Sequence, residues 1–266
     1  MEIDRRAFIT SLGGAAAITS MSPETLADEL EHHMLDLLDG EATGLPVQTG
    51  PPPQSRRGVG DLFRAPGPVD GELRALPQLA PMPKQPTLID YFNLRFAPAN
   101  HVLQSATRAL KEGMPERTIL ACLLHDVVLN LIKVDHGWWG AQMLEPYVDE
   151  RISWGIRYHQ ALRFYPDKEA GYEYPELYDR IFGKGYVPEP HIQEAYKFAR
   201  NHKWYMEARL ITVNDLYAFD PKATVSLDPF VDIIGRHFKT PKEGLGFDNS
   251  PVAHMWRTMA RPDMPL

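Results

Sequence analysis

Apolar residues between positions 97 and 238 recur every three or four positions, the spacing of a helix that buries one stripe of its surface. Alternation at every second position, which would indicate a half-buried strand, is lacking in the sequence. The segments that fit the helical period are 97–113, 117–132, 136–145, 148–163, 189–200, 203–218 and 227–238. The pattern therefore predicts an all-α protein, a bundle of helices around an apolar core.

Two stretches of the chain break the helical pattern. Residues 40–86 are crowded with proline and glycine, which interrupt helices and sheets, so we expect an irregular arm here. A helix should precede the arm, because Ser22 and Glu24 form a start signal ahead of apolar residues at helical spacing. The tyrosine-rich stretch from Tyr165 to Tyr186 predicts a long excursion between helices, of the kind that often covers a site.

The N-terminal residues resemble a twin-arginine export signal. Arg5 and Arg6 precede Phe8 and a mildly apolar stretch, rich in glycine and alanine, that is too short for an ordinary membrane span. The resemblance implies export of the folded protein to the periplasm by the twin-arginine translocation machinery, with a membrane tether if the segment is not cleaved. The alternative is an ordinary N-terminal helix that carries two arginines.

Length and charge limit the classes of protein to consider. The 266 residues, 44% of them hydrophobic, suffice for a real core. We divide the chain into a signal segment (1–28), a helix plus arm (29–86) and a catalytic core with a C-terminal extension (87–266). The net charge of -7 argues against a nucleic-acid partner, which requires a basic surface. The single cysteine, Cys122, excludes an intrachain disulfide and is expected in the core.

Six potential metal ligands stand at orderly separations along the predicted helices. His125 and Asp126 lie inside the apolar run ILACLLHDVVLNLI, and the other four are His101, His136, His159 and Asp215. Imidazoles and carboxylates are costly to bury unless something pairs with them. Six such groups are enough for two metal ions and too many for one. The set predicts a transition-metal site built from several helices.

The predicted helices suggest how these groups meet. His125 and Asp126 are placed late in the 117–132 helix, where the imidazole can reach one ion while the two carboxylate oxygens of Asp126 bridge to another. A short connection at 113–115 can return the chain so that His101 reaches the same level. His136 opens the next helix, and His159 lies near the end of the one after it.

The order H...HD...H...H...D over residues 87–240 resembles the HD-domain superfamily, an all-helical fold of metal-dependent enzymes. The resemblance implies that a first metal takes His101, His125, Asp126 and Asp215. It also implies a second metal on His136, His159 and the bridging Asp126, with open positions for water, O2 or substrate.

Within that superfamily the chain is similar to the mixed-valent diiron oxygenases, the group of myo-inositol oxygenase and the phosphonate-cleaving oxygenases. The similarity rests on NHVLQSATRAL, ILACLLHDV and RYHQALRFYPDKEAGYEYPELYDRI. It implies two iron ions as Fe(II)/Fe(III), with O2 and a small hydroxylated, anionic molecule as substrates. Asp126 would bridge the irons, Tyr91 would act as a lid residue, and Arg163 would clamp the anionic group.

Some positions depart from these relatives. Leu94 stands where a lid carboxylate is expected, and neither Leu129 nor Phe219 supplies the lysines of the inositol branch. These departures leave the substrate open.

Other interpretations of the same residues stay open. Tyr91 can be a packing aromatic, and Arg163 a solvated cation at a helix end. The ligand set also suits a phosphohydrolase in which Mn, Mg, Zn or Fe activates water. Such an enzyme usually needs several cations around the phosphates, and here Lys111, Lys133 and Arg163 are scattered along the chain. A noncatalytic, metal-containing binding protein is the third alternative.

Overall fold

The computed structural model describes residues 87–94, 99–129 and 135–239, and isolated positions 68–69, 72–73, 83, 96 and 132. The expectations for the signal segment, the first helix, most of the arm and the C-terminal extension beyond residue 239 lie outside the described residues.

The described part of the chain is helical, as predicted. Its helices are α1 (Leu88–Leu94), α2 (Asn100–Lys111), α3 (Glu116–Leu124), α4 (His136–Leu144), α5 (Glu150–Leu162), α6 (Glu176–Phe182), α7 (Pro190–Arg200), α8 (Tyr205–Asp215), a 3₁₀ turn (Asp228–Phe230) and α9 (Val231–His237). Two strands of two residues, β1 (Pro68–Val69) and β2 (Glu72–Leu73), pair antiparallel within the arm. None of the described helices has the length and hydropathy to cross a membrane.

Each of the seven predicted helical segments contains a helix, but the second one ends early. The prediction of a helix over 117–132 is wrong beyond Leu124, because residues 125–129 form successive turns. The amide of Leu129 donates to the carbonyl of Asp126 at 2.9 Å, a shorter span than in an α-helix. Val127 and Val128 lie in these turns and are as buried as the residues of a core helix. The spacing of apolar residues therefore cannot distinguish these turns from a continued helix.

Two helices were not predicted. Before α1, the Thr87 hydroxyl accepts from the Asp90 amide, and the Asp90 carboxylate accepts from the Thr87 amide. This reciprocal pair is a capping arrangement that starts the helix. In the excursion from Tyr165 to Tyr186, α6 occupies the middle of a stretch expected to be irregular. Proline at 175 and glycine at 183 flank this helix. Its seven residues are too few for the helical spacing of apolar residues to be recognised in the sequence.

Helix α5 lies at the centre of the bundle. It packs against α3, α4, α7 and α8. Gly155 allows the close approach to α8, since a Cβ there would lie 3.1 Å from the Glu207 carbonyl oxygen. One apolar cluster lies around α1–α5 and α9, and an aromatic-rich cluster lies around the excursion, α7 and the start of α8. The ends of α5 and α8 are thereby fixed next to the turn after α3.

Candidate metal centre

The six predicted ligands come together at the ends of structural elements. His101 lies at the start of α2, His136 is the first residue of α4, and Asp215 is the last residue of α8. His159 lies in the last turn of α5. His125 and Asp126 occupy the turn after α3 rather than a helix. Each of the six residues is at most 5% exposed.

Asp126 lies between two sets of histidines. Its Oδ2 atom is 3.4 Å from Nε2 of His125 and 3.5 Å from Nε2 of His101. Its Oδ1 atom is 3.1 Å from Nε2 of His136 and 4.0 Å from Nε2 of His159. One carboxylate oxygen thus faces each pair of imidazoles, which is the geometry that a bridging ligand requires.

Asp215 completes the His101 and His125 side. Its Oδ1 atom is 2.9 Å from Nε2 of His101 and 3.5 Å from Nε2 of His125. Ligand atoms held about 2.1 Å from one ion lie about 3.0–3.4 Å apart in octahedral or tetrahedral geometry. The separations of 2.9 and 3.5 Å are close to that spacing. The groups whose donor atoms lie within 4.8 Å of one another are His101–His125–Asp126, His125–His159–Asp215 and Asp126–His136–His159.

Three of the histidines are oriented from behind by backbone carbonyls. Nδ1 of His125 donates to the Cys122 carbonyl at 2.8 Å, and Nδ1 of His159 donates to the Ile156 carbonyl at 2.6 Å. Nδ1 of His101 donates to the carbonyl of Ala218 at 3.2 Å. A carbonyl can only accept, so the proton sits on Nδ1 and Nε2 faces the centre. Metal-bound histidines are commonly held in this way.

The donor atoms that face the centre satisfy a strict test for a metal site. Among the described residues, no well-aligned hydrogen bond satisfies the two oxygens of Asp126, Oδ1 of Asp215 or Nε2 of His159, although all are buried and lie close to other donor atoms of the centre. Leaving such groups without a partner costs several kcal/mol in total, about 1–3 kcal/mol each. A cation at the centre would satisfy all of them at once, so the residues present fit a metal ion.

The electrostatics of the centre favour ionised carboxylates. Burial raises the pKa of Asp126, but His125 and His136 outweigh it and hold that pKa well below its usual range. Burial lowers the pKa of His125, yet Asp126 and Asp215 raise it to about 9. Burial, His125 and His136 lower the pKa of His159 to about 3. His159 is thus a neutral imidazole at neutral pH, the form that binds a metal.

Tyr91 lies beside the turn that carries two of the ligands. Its hydroxyl donates to the Val127 carbonyl at 2.9 Å, and its ring stacks on Phe96. Burial raises the pKa of this phenol. Tyr91 therefore packs in the core and supports the turn of His125 and Asp126. Its role as a lid residue in catalysis stays a prediction.

Arg163 is buried, being only 4% exposed at the end of α5. The alternative of a solvated helix-end cation is therefore wrong. Its backbone carbonyl accepts from the Tyr172 hydroxyl at 2.6 Å. The phenol of Tyr172 has a pKa raised above the usual value, chiefly by burial; Asp215 raises it further and Arg163 lowers it. The charges of Arg163 and Asp215 thus act on the Tyr172 phenol in opposite directions.

Several residues that support the centre were not predicted. Gln160 contacts His136 through its side-chain amide, and the Thr212 hydroxyl donates to the His159 carbonyl at 3.0 Å. Phe219 stacks on the His101 ring at 4.3 Å. Gln160 and Thr212 lie one and three positions from a ligand, and that proximity is the only signal the sequence carries for them.

The aromatic residues that flank His136 and His159 in the sequence divide into two groups. Phe164 is buried, but Trp138 and Trp139 are 38% and 43% exposed and so are not core residues. Trp138 instead lines a surface cleft of about 290 Å³, together with Arg157 and Phe198. Gln160 also borders this cleft.

Comparison with known proteins identifies a relative of part of the chain. No protein-family profile matches the chain. A curated relative is the [1-hydroxy-2-(trimethylamino)ethyl]phosphonate dioxygenase (glycine-betaine-forming) of Leisingera caerulea, 35% identical over 78 aligned positions. The alignment covers 25% of this chain and 40% of the relative. The chain is thus similar to part of a phosphonate dioxygenase.

Proposed function

We propose that this protein is a dinuclear-iron oxygenase of the HD-domain type that uses O2 to oxidise or cleave a small, hydroxylated, anionic molecule. The observation that carries the proposal is the position of Asp126, with one carboxylate oxygen facing His101 and His125 and the other facing His136 and His159. Two ions need such a bridge, and one ion does not.

The distances between the side chains support the ligand sets that the resemblance to the HD-domain superfamily implies. His101, His125, Asp126 and Asp215 would hold the first ion, and His136, His159 and Asp126 would hold the second. The second set offers three protein ligands, which leaves coordination positions open, as in catalytic rather than structural metal sites. Bound iron would supply the activation of O2 and a point of attachment for the substrate hydroxyl.

The protein's own residues would orient and isolate the reaction. All six ligands are buried, so the surrounding core would keep bulk water from the reacting groups. We assign to Arg163, a buried residue four positions after His159 in the sequence, the binding of the substrate's anionic group. Tyr91 would hold the His125–Asp126 turn through its bond to Val127.

The partial relative favours oxygenase over phosphohydrolase chemistry, because its name describes a dioxygenase that acts on a hydroxylated phosphonate. We infer a similar class of substrate, a small 1-hydroxyalkylphosphonate or a related hydroxylated anion. A phosphohydrolase with Mn, Mg or Zn would use the same ligands.

The first test is metal stoichiometry. The protein, purified anaerobically with iron, should contain two ions per chain by elemental analysis. Asp126→Ala should lose both ions, since it removes the bridge, whereas His159→Ala should lose mainly the second. His191→Ala, whose side chain is 59% exposed, is the matched histidine control and should retain both. Equal, minor losses in the Asp126 and His159 variants would contradict the ligand assignment.

The second test separates the two chemistries. After partial oxidation, an S = 1/2 EPR signal from a coupled Fe(II)/Fe(III) pair is expected at low temperature, and hydroxylated phosphonates should perturb it. The absence of that signal, together with phosphate release from generic esters in Mn or Zn, would overturn the oxygenase in favour of the phosphohydrolase.

A further inference from the structure

The side chain of Gln160 lies between the start of α4 and the rear of the His136 ring. It is 6% exposed and follows His159 on α5. The Gly137 amide donates to its Oε1 atom at 2.8 Å, and its Nε2 atom lies 3.0 Å from Nδ1 of His136. One amide side chain therefore contacts α4 at two adjacent residues.

The chemistry of the Gly137 amide fixes the orientation of Gln160. A backbone N–H can only donate, so the atom 2.8 Å from it must be the oxygen of the side-chain amide. The NH2 group then points at Nδ1 of His136 and donates to it. A neutral imidazole that accepts at Nδ1 carries its proton on Nε2. In His136, Nε2 is the atom that faces Asp126 Oδ1 at 3.1 Å.

His136 thereby differs from the other three histidines of the centre. Their Nδ1 atoms donate to the carbonyls of Ala218, Cys122 and Ile156. In His136 the proton occupies the position that a metal would take. Binding an ion there requires the proton to move to Nδ1 and the Gln160 amide to turn so that its oxygen accepts, which breaks the bond to Gly137.

We propose that Gln160 is a positioning residue that holds His136 in the tautomer opposed to metal binding, and so weakens the second metal subsite. This inference rests on the proposed dinuclear site. Gly137 supports it sterically, because a Cβ at this position would lie 3.0 Å from Oε1 of Gln160 and 2.7 Å from the Ile156 carbonyl oxygen. Only a glycine lets the α4 backbone approach the amide this closely.

The direct test is the tautomer itself, measured on metal-free protein by ¹⁵N NMR of the imidazoles. His136 should show the Nε2–H form, whereas His159 should show the Nδ1–H form. An Nδ1–H form of His136 would overturn the proposal. Since this measurement involves no metal, it is independent of whether the protein binds two ions.

Gln160→Glu is the matched substitution. The two carboxylate oxygens can accept from the Gly137 amide and from Nδ1–H of His136, so the proton should move to Nδ1 and free Nε2. We expect the affinity of the second subsite for Co(II), followed by its absorption spectrum, to rise roughly tenfold or more, the range of effects typical of residues that hold a ligand. The first subsite should change little.

The added charge provides the opposing explanation. If the negative charge of the glutamate only attracted cations, the metal affinities of both subsites would rise together. The tautomer of His136 would then stay as in the natural protein. That outcome, or an unchanged second affinity in a folded variant, would overturn the proposal. Should Gln160→Glu fail to fold, the NMR measurement on the natural chain decides the question. A natural protein with fewer than two metal sites would instead contradict the proposed function.

Discussion

Two glycines at the start of α4 have different steric surroundings. A Cβ on Gly137 would lie 2.7 Å from the Ile156 carbonyl oxygen and 2.9 Å from Cε1 of His159. A Cβ on Gly140 would have its nearest contact at 3.4 Å, from the Val128 side chain, which is ordinary packing. The backbone and a ligand ring surround the first position, while the second has room for a methyl group.

We therefore expect Gly137→Ala to lower the free energy of unfolding by about 1–3 kcal/mol through overpacking and to displace His159 from the centre. Gly140→Ala should be neutral or stabilising by up to about 1 kcal/mol, because alanine favours helix. Urea denaturation measures the stabilities, and metal analysis should show loss of the second ion in the Gly137 variant alone. Equal effects of the two substitutions would contradict the close packing of α4 on α5.

At the same scale, the sequence predicted all six groups that meet at the centre, because buried histidines and carboxylates stand out in apolar segments. It did not predict how they are oriented. In the sequence, Gln160 looks like an ordinary polar residue on a helix. Only the position of the Gly137 amide shows which atom of the Gln160 side-chain amide faces His136. This arrangement depends on the contact between α4 and α5, and the sequence of neither helix alone predicts that contact.

At the scale of the elements, Arg209 joins α8 to the end of α5. Its buried guanidinium donates to the Leu162 carbonyl at 3.2 Å and the Tyr165 carbonyl at 2.9 Å, and its Nε donates to the Tyr205 hydroxyl at 2.9 Å. The guanidinium also lies over the Tyr172 ring. The end of α5, which carries His159, is fixed by this contact.

Arg209→Met should lower the free energy of unfolding by roughly 2–4 kcal/mol, since it leaves buried carbonyls without donors. Arg200→Met is the matched control: Arg200 lies exposed over the Tyr205 ring, and its loss should cost no more than about 1 kcal/mol. Chemical denaturation compares the two variants. Similar small losses would show that the Arg209 contacts contribute little to holding α5.

Helix α9 docks on α3 through an exposed cluster. Arg236 donates to both carboxylate oxygens of Glu116, at 2.6 and 3.0 Å, and His237 lies 2.7 Å from one of them. Hydrogen bonds from Arg236 and His237 lower the pKa of Glu116 from 4.5 to about 2. A carboxyl whose pKa is depressed by folding stabilises the protein above its unfolded pKa.

Glu116→Gln should therefore reduce the thermal unfolding midpoint slightly at neutral pH. The difference from the natural protein should shrink as the pH falls from about 4.5 towards 2, where the natural carboxyl becomes protonated. Scanning calorimetry across this pH range measures the unfolding midpoints. Comparison with Arg236→Gln and with the double variant isolates the contribution of the Glu116–Arg236 ion pair from the other effects of each substitution. A difference that persists unchanged at the lowest pH would contradict the ion pair as its cause.

The elements also show where sequence patterns reach their limit. Helical spacing predicted the bundle and placed His136 and His159 correctly at the start and end of their helices. It extended the α3 helix through His125 and Asp126, because the turns that follow are equally apolar. Helices α1 and α6 were not predicted, because each has only seven residues and the spacing of their apolar positions does not stand out.

At the scale of the whole molecule, export by the twin-arginine route stays a prediction from Arg5 and Arg6. Replacing both with lysine should abolish it, and the protein should accumulate in the cytoplasm with its metal content unchanged. Cell fractionation with immunodetection measures the distribution. The control is the same pair of substitutions at Arg56 and Arg57, which lie in the proline-rich arm and should leave the distribution unaltered. Equal export of both variants would contradict the signal.

The six side chains at the centre are contributed by segments that begin at residue 101 and end at residue 215. None of these segments holds a complete set of ligands, so the cluster of six side chains forms only after the bundle has closed. The proposed ions would accordingly bind after the chain has folded. The compartment in which the chain folds would then determine which metals are offered to the proposed site.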